Sequence, residues 1–307
     1  MFLTSFHTFK SNIVNFTDKN VKLVQPNFSH HEKWDKKKFF INQEKLLELS
    51  KNNQGEKTLI IWPETAIVNF PENIKKELIY IKETILAKNS GFLITGIPRK
   101  QLVNNKNYYY NSMIALDQTG SIVGNYNKNK LVPFGEFNPF KKVFSFFKII
   151  ASDNEFSHGE PIKDKFFSFG DLNVYPMICY EAIFPFQTRK DKSYDLIVNI
   201  TNDRWFGKTF GPVQHFWLAK QRAIETGIPM VRVSNSGISS LIAPNGKEIK
   251  SLKFGTSGFL ELKIPKKFNR TLYLKFGDKI YYLMTLILIF LFLTVNLKSS
   301  LIFLKYR

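Results

Sequence analysis

The stretch Leu172-Asn173-Val174-Tyr175-Pro176-Met177-Ile178-Cys179-Tyr180-Glu181 carries the only cysteine in the 307 residues of the chain. Its apolar residues are typical of a buried strand, and the segment that follows turns the chain away at Pro185. A cysteine at the end of a strand lies at a sheet edge, where backbone N–H groups and a helix N-terminus favour its thiolate. A free cysteine can also serve as a small buried hydrophobe. The stretch alone therefore leaves both roles open for Cys179.

The length and charge of the chain limit its function classes. A chain of 307 residues can hold one large or two modest domains with a substantial core. Lys and Arg total 44 against 25 Asp and Glu, which gives a net charge of +19. This charge is spread along the chain without a zinc finger or a helix suited to reading nucleic acid, so we expect no nucleic-acid partner. An anionic membrane surface would attract the same charge.

The C-terminal region contains an apolar segment long enough to enter a membrane. Ile280 to Leu297 is an 18-residue run without a charge, flanked by Lys279 and Lys298. At about 1.5 Å per residue, such a helix just crosses the hydrocarbon core of a bilayer. Tyr281 lies where interfacial aromatic residues are common. We therefore predict a transmembrane helix with a short basic tail over residues 279–304.

The charges around this helix predict its orientation. The basic tail places the C-terminus in the cytoplasm by the positive-inside rule, and residues 1–278 then lie outside the cytoplasm. Residues 1–20 form an N-terminal lead, which is apolar at its start but lacks the basic region and cleavage site of a signal peptide.

The order of the predicted elements favours a layered α/β sandwich over a barrel or a Rossmann fold. Strands alternate with helices in the first half of the chain, and pairs of strands follow without helices. The first strand is predicted at Val21 to Gln25, and a basic and aromatic insertion at residues 140–160. An Asn245-Gly246 turn is expected to join strands at residues 238–243 and 258–264.

Three residues with reactive side chains share one setting. Glu64, Lys128 and Cys179 each follow the end of an apolar strand, and strand ends of an open α/β sheet converge on one edge. A carboxylate can take a thiol proton, the thiolate can attack a carbonyl, and an ammonium can stabilise the resulting oxyanion. Separately, each has an ordinary structural explanation, as a helix-capping acid, a loop lysine or a core residue. Together they predict a site for acyl transfer.

The segments around these residues resemble those of a known family. They are similar to the signature segments of the nitrilase, or carbon–nitrogen hydrolase, superfamily, and more narrowly to its membrane branch, the apolipoprotein N-acyltransferases. The similarity runs from about residue 21 to residue 265 and continues into the apolar helix. The matching segments are Gln25 with Lys33-Trp34-Asp35, Trp62-Pro63-Glu64-Thr65-Ala66, Tyr126-Asn127-Lys128, Leu131-Val132-Pro133-Phe134-Gly135-Glu136, Ile178-Cys179-Tyr180-Glu181, Asn202-Asp203-Arg204-Trp205-Phe206-Gly207, Gly211-Pro212-Val213-Gln214-His215-Phe216, Arg222-Ala223 and Ser234-Asn235-Ser236-Gly237-Ile238.

The resemblance implies a fold and a reaction. The fold is an αββα sandwich over residues 21–267 with a Glu-Lys-Cys triad formed by Glu64, Lys128 and Cys179. In the implied reaction, Cys179 takes an acyl chain from a phospholipid as a thioester and releases a lysophospholipid. The α-amino group of diacylglyceryl-cysteine at an apolipoprotein N-terminus then receives the chain as an amide. No cofactor is implied, and no metal-ligand spacing occurs in the sequence.

The resemblance also implies supporting residues and a location. Glu136 and Glu181 match acids that support the lysine and the substrate amine, and Trp34, Tyr180 and Trp205 match residues that line a lipid entrance. Apolar walls of this kind suit long acyl chains. We expect a monomer in the bacterial inner membrane, with its catalytic domain on the periplasmic side.

Three other interpretations stay open at this point. A nitrilase-type amidohydrolase would use the same triad on a small amide and would need no membrane helix. Family members begin with several transmembrane helices that this sequence lacks, which suggests an inactive or split catalytic half that needs a separate membrane subunit. A Cys-His thiol protease would require His215, but its segment looks like a helix start, which favours a structural role.

Arg204 stands where the family usually has a small residue, either to hold a phosphate or to face solvent.

Overall fold

Two six-stranded β-sheets form the centre of the molecule. The computed structural model describes residues 13–51, 57–69, 75–86, 91–137, 155–162, 166–185, 194–269 and 271–305. Most of the predicted insertion, residues 140–154, and the first 12 residues of the N-terminal lead lie outside this part of the chain.

The first sheet has the order β12-β1-β2-β3-β4-β5. Its strands are β1 (Phe16–Gln25), β2 (Thr58–Ile61), β3 (Phe92–Val103), β4 (Lys106–Leu116), β5 (Ile122–Asn127) and β12 (Gly258–Pro265). The β1–β2 and β2–β3 pairs are parallel, and the other three pairs are antiparallel. β1 begins at Phe16, earlier than the predicted Val21, because its polar first residues pair with β12 although they lack an apolar pattern.

The second sheet has the order β11-β10-β9-β8-β7-β6. Its strands are β6 (Phe167–Phe169), β7 (Leu172–Ile178), β8 (Leu196–Thr201), β9 (Met230–Ser234), β10 (Ser239–Ile242) and β11 (Glu248–Leu252). The prediction that the Asn245-Gly246 turn joins residues 238–243 to 258–264 is wrong, because the turn joins β10 to β11. β11 is a half-exposed edge strand, and its Glu, Lys and Ser residues give it no apolar pattern by which it could be predicted.

The helices lie outside the two sheets. They are α1 (His30–Trp34), α2 (Phe39–Ser50), α3 (Lys75–Ile81) with a π-helical turn (Lys82–Leu86), α4 (Gly211–Thr226), α5 (Leu272–Phe276) and α6 (Lys279–Lys305). Pro212 in the first turn of α4 and Gly227 in left-handed conformation after its last residue are typical helix boundaries.

The layers follow from the alternation of side chains along each strand. One face of each sheet packs against the other sheet through buried aliphatic residues, which include Val21, Leu23, Leu59, Ile61, Val174, Ile178, Val198 and Ile200. The opposite faces pack against α2 and α4 through Ile60, Trp62, Leu46 and Leu47 on one side and Ile197, Met230, Phe216 and Ala219 on the other. The predicted αββα sandwich is therefore confirmed.

The C-terminal helix α6 differs from the others in its surroundings. Its segment Lys279–Asn296 has a mean hydropathy of 1.8, and none of it is buried against the rest of the protein. Apolar side chains are exposed all around it, from Leu283 to Val295. By length and composition, α6 is the one helix among the described residues that is suited to crossing a bilayer.

Candidate active site

The topology brings three strand ends to one edge. β5 is two antiparallel steps away from β3, so it runs in the same direction as β2 and β3. Glu64 follows β2, Lys128 follows β5, and Cys179 follows β7 of the facing sheet. Cys179 has φ of 50°, a conformation that non-glycine residues rarely adopt, and it starts a 3-10 turn ending at Ile183. Such strained positions are common at functional sites.

Glu64 is a buried carboxylate with one oxygen occupied and one free. Its side chain is 6% exposed, and its Oε1 accepts a hydrogen bond of 2.8 Å from Asn111 Nδ2. The same oxygen lies 3.7 Å from Lys128 Nζ. Its Oε2 has no hydrogen-bond partner among the described residues. An unsatisfied buried carboxylate oxygen is costly and is suited to accepting a proton during a reaction.

A close backbone approach fixes the position of Glu64. Gly96 of β3 lies so near the turn that a Cβ there would come within 2.3 Å of Thr65 N and 2.7 Å of Glu64 Cα. The Gly96 N–H also donates to the Pro63 carbonyl over 3.2 Å. A glycine is required here because any side chain would displace the main chain of Glu64 and Thr65.

Lys128 lies between two carboxylates. Its side chain is 1% exposed, and its Nζ is 2.8 Å from Glu136 Oε2 and 3.7 Å from Glu64 Oε1. Burial alone would lower the pKa of Lys128, but the charges of Glu64, Cys179 and Glu136 outweigh it and raise that pKa. Lys128 is therefore an ammonium. Glu136 is itself held by Asn111 Nδ2 and by the N–H of Val132, at 3.0 and 2.8 Å.

The charges of Glu64 and Lys128 act on the thiol of Cys179 in opposite directions. Burial raises the pKa of Cys179 to about 12, with a further increase from the charge of Glu64 and an opposing effect from Lys128. At neutral pH, Cys179 is therefore a neutral thiol beside the Lys128 ammonium. A thiol in this state needs a base to become a nucleophile, and the free oxygen of Glu64 is available for that purpose.

A cluster of buried polar side chains contacts the main chain of Cys179. His215 Nε2 donates to the carbonyl oxygen of Cys179 over 3.1 Å, and His215 Nδ1 lies 2.7 Å from Asp203 Oδ1. Asp203 Oδ2 accepts a 2.7 Å hydrogen bond from Arg232, and Oδ1 accepts one of 3.0 Å from Thr201. Although burial opposes it, the charge of Arg232 and the hydrogen bond from His215 lower the pKa of Asp203. His215 thus contacts the main chain of Cys179, which supports the structural role over a Cys-His protease.

Glu181 connects β7, the strand that ends just before Cys179, to the loop that follows β5 and begins with Lys128. One oxygen accepts from the N–H of Ile178 at 2.8 Å. The other accepts from Tyr126 Oη at 2.7 Å and from the N–H groups of Asn129 and Lys130 at 2.7 and 3.0 Å. These four bonds connect the end of β7 to the loop after β5, and the role of Glu181 in supporting the substrate amine stays a prediction.

The predicted aromatic residues lie near the same edge with different exposures. Trp34 is 50% exposed and Trp205 is 72% exposed, whereas Tyr180 is half-buried with its ring 5.2 Å from that of Phe184. Arg204 makes long hydrogen bonds to Asn27 and Ser236, at 3.4 and 3.5 Å. Within the described residues, no group of three His, Cys, Asp or Glu side chains has the geometry to hold a metal ion.

Two residues that contact the candidate site, Asn111 and Lys33, were not predicted as site residues from the sequence. Asn111 bridges Glu64 and Glu136 from within β4, and because β4 also contains Asn107 and Ser112, its sequence does not single out Asn111. Lys33 is buried, and its Nζ donates to the main-chain oxygen of Glu64 over 2.9 Å. The matching segment Lys33-Trp34-Asp35 is the signal that could have drawn attention to it.

Comparison with solved structures supports the fold. A carbon–nitrogen hydrolase from Helicobacter pylori aligns with a TM-score of 0.59 at 14% identity, covering 80% of this chain and 89% of that one. An amidase of the nitrilase superfamily from Nesterenkonia aligns with a TM-score of 0.56 at 17% identity, covering 83% of this chain and 94% of that one.

Sequence relatives share more identity. Apolipoprotein N-acyltransferases of Rickettsia prowazekii and Rickettsia bellii are 35% and 39% identical over 95% and 92% of this chain. The chain covers 58% and 56% of those two relatives, so it spans little more than half of their length. The family model of carbon–nitrogen hydrolases matches residues 20–268, which include both sheets except for the first residues of β1. On the strength of that match, this chain belongs to the carbon–nitrogen hydrolase family.

Proposed function

We propose that this protein is a membrane-anchored N-acyltransferase. It moves an acyl chain from a phospholipid to the α-amino group of diacylglyceryl-cysteine at the N-terminus of an apolipoprotein, through a thioester on Cys179. The observation that carries this proposal is the setting of a neutral thiol beside Glu64, whose Oε2 is free, and the Lys128 ammonium. The similarity to apolipoprotein N-acyltransferases over 95% of the chain supports the choice of substrates.

In the first half-reaction, Cys179 is acylated. Glu64 Oε2 takes the thiol proton, and the sulfur attacks the ester carbonyl carbon of the phospholipid. The oxyanion that forms is stabilised by the Lys128 ammonium and by N–H groups at the start of the 3-10 turn. As the tetrahedral intermediate collapses, the glycerol oxygen leaves and takes the proton from Glu64. The products are the thioester and a lysophospholipid.

In the second half-reaction, the acyl chain passes to nitrogen. The neutral α-amino group attacks the thioester carbonyl, and Glu64 takes the proton that the nitrogen loses. The sulfur then leaves and recovers that proton, so the free enzyme returns with an amide as product. An amide is more stable than a thioester, which makes this step favourable. Water must be excluded, because it would hydrolyse the thioester.

The membrane supplies the acyl donor. We propose that α6 crosses the bilayer with its C-terminus in the cytoplasm, so that the catalytic domain lies on the periplasmic side of the inner membrane. Trp34, Tyr180 and Trp205 then form apolar walls between the bilayer and the site. Glu136 holds the lysine, and Glu181 holds the nucleophile strand against the lysine loop.

The proposal is tested by acyl transfer with the full chain in membranes. The substrates are a phospholipid with an alkyne-labelled acyl chain and a synthetic diacylglyceryl-cysteine peptide, and the product is measured by mass spectrometry. We expect Cys179→Ala and Glu64→Gln to abolish N-acylation. Glu248→Gln is the matched control, because Glu248 forms an exposed ion pair with Lys220 at 3.0 Å, far along the chain from the triad.

Two results would contradict the proposal. If Cys179→Ala still transferred the label, the thioester mechanism would be wrong. If the wild-type chain released ammonia from small amides without acylating the peptide, the protein would be an amidohydrolase of the same family.

A further inference from the structure

Lys33 is held rigidly beside the catalytic base. It belongs to α1, whose start is fixed by reciprocal hydrogen bonds between Ser29 and Glu32, and Asn42 of α2 donates to the main chain of Glu32 over 2.7 Å. The Lys33 side chain is 6% exposed, and its Nζ donates to the main-chain oxygen of Glu64 over 2.9 Å. The position of this ammonium is therefore set by the fold.

The ammonium of Lys33 differs from that of Lys128 in its carboxylate neighbours. Among the described residues, no carboxylate oxygen lies within ion-pair distance of its Nζ, in contrast to Lys128, which has two carboxylates. Burial lowers the pKa of Lys33 to about 8, although the charges of Glu64 and Cys179 act in the opposite direction. These are the titratable groups that face Lys33, because Asn42 and Gln43 of α2 line the adjacent cavity without charge.

A purely structural role does not explain this arrangement. A buried ammonium without a carboxylate partner costs folding free energy, and an uncharged donor could satisfy the Glu64 carbonyl equally well. The cavity beside Lys33 is otherwise lined largely by apolar groups such as Phe28, Trp62 and Ile67, against which a methionine could pack. Packing against these groups therefore does not require a charged side chain at position 33.

We propose that Lys33 is a second cation of the acyl-transfer site, a positioning residue that holds the Glu64 main chain and stabilises negative charge on Cys179. The inference rests on the proposed function and adds a residue to it. When Glu64 removes the thiol proton, negative charge moves from the carboxylate to the sulfur, and Lys33 acts on both groups. Lys128 then remains free to contact the oxyanion of the acyl group.

The test compares Lys33→Met and Lys33→Gln with Lys45→Met in the full membrane-inserted chain. Lys45 is an exposed residue of α2 whose ammonium lies 5.5 Å from the Phe28 ring, so it is a matched control. We expect both Lys33 variants to form the thioester at least tenfold more slowly at pH 7, with a thermal midpoint equal to or above that of the wild type. Wild-type acylation should decline above about pH 8, and this decline should be absent in Lys33→Met.

A second readout does not depend on acyl transfer. The rate of Cys179 alkylation by iodoacetamide should be lower in Lys33→Met than in the wild type at pH 7. The difference should disappear above about pH 9, where Lys33 itself is neutral. If the wild type alkylates as expected but forms no thioester, the proposed function fails and the inference about Lys33 survives.

Three results would overturn the inference. The first is wild-type acylation and alkylation rates in Lys33→Met. The second is an unchanged alkaline decline in that variant. The third is a large fall of the thermal midpoint in both Lys33 variants together with the loss of activity, which would identify Lys33 as a structural residue.

Discussion

Removal of the Lys128 ammonium tests the electrostatic core of the site. In Lys128→Met, the buried carboxyl group of Glu64 and the partly buried one of Glu136 lose the charge that lies 3.7 and 2.8 Å from them. Both still share the single side-chain amide of Asn111. The variant therefore leaves two like charges close together without a cation between them.

The magnitude of the effect follows from this burial. Removing one partner of a buried ion pair typically costs about 3–5 kcal/mol of stability, because the remaining charge is left uncompensated. The loss of one donor to an oxyanion typically slows catalysis by about 10²–10³-fold. The double variant Lys128→Met with Glu136→Gln removes one of the uncompensated charges, so it should recover much of the stability and none of the activity.

The assay measures thermal unfolding and thioester formation on the same detergent-solubilised samples, with Lys220→Met as the control for an exposed lysine. We expect the single variant to be the least stable and both Lys128 variants to be equally inactive. The reasoning would be refuted if the single variant were as stable as the wild type. It would also be refuted if the double variant regained activity, because Lys128 would then serve only to hold Glu136.

Four further predictions concern the thiol, its support, the base and the membrane helix. Because burial raises the pKa of Cys179 to about 12, it should carry about a thousandfold less thiolate at neutral pH than an ordinary thiol, and its alkylation by iodoacetamide should be correspondingly slow at pH 7. His215→Gln should slow thioester formation by about 10²-fold with little change in phospholipid binding, since it changes the contact that holds the Cys179 main chain; an unchanged rate would contradict this role. Gly96→Ala should destabilise the protein by about 1–3 kcal/mol, measured by thermal unfolding, because its Cβ meets backbone atoms. Leu288→Arg should weaken membrane insertion by about 2.5–3.5 kcal/mol, visible as release from membranes at alkaline pH, and equal retention would argue against a spanning α6.

The sequence predicted those parts of the fold that repeat a simple pattern. The strand before Cys179 has the apolar residues of a buried strand, and the structure confirms it. The edge strand Glu248–Leu252 was missed because only one side of it is partly buried, so its side chains carry little apolar signal.

The candidate site could be predicted only where motifs mark it. Glu64, Lys128 and Cys179 were found because each follows an apolar strand. Lys33 and Asn111 act through contacts with residues 31 and 47 positions away, and such long-range contacts leave no trace in local spacing.

A charged residue within an apolar strand is a sequence signal of a buried ion pair. Arg232 interrupts an apolar strand, and a buried guanidinium requires an acid, which the structure identifies as Asp203. The pairing itself depends on the parallel register of β8 and β9, which the sequence does not determine.

The most direct test of the account is intact-mass spectrometry of the membrane-inserted chain after incubation with a dipalmitoyl phospholipid and no acceptor peptide. We expect one added palmitoyl group on Cys179, which is removed by neutral hydroxylamine and is absent in Glu64→Gln. A chain that stays unmodified while it N-acylates a diacylglyceryl-cysteine peptide, or one that carries the acyl group elsewhere, would contradict the central claim.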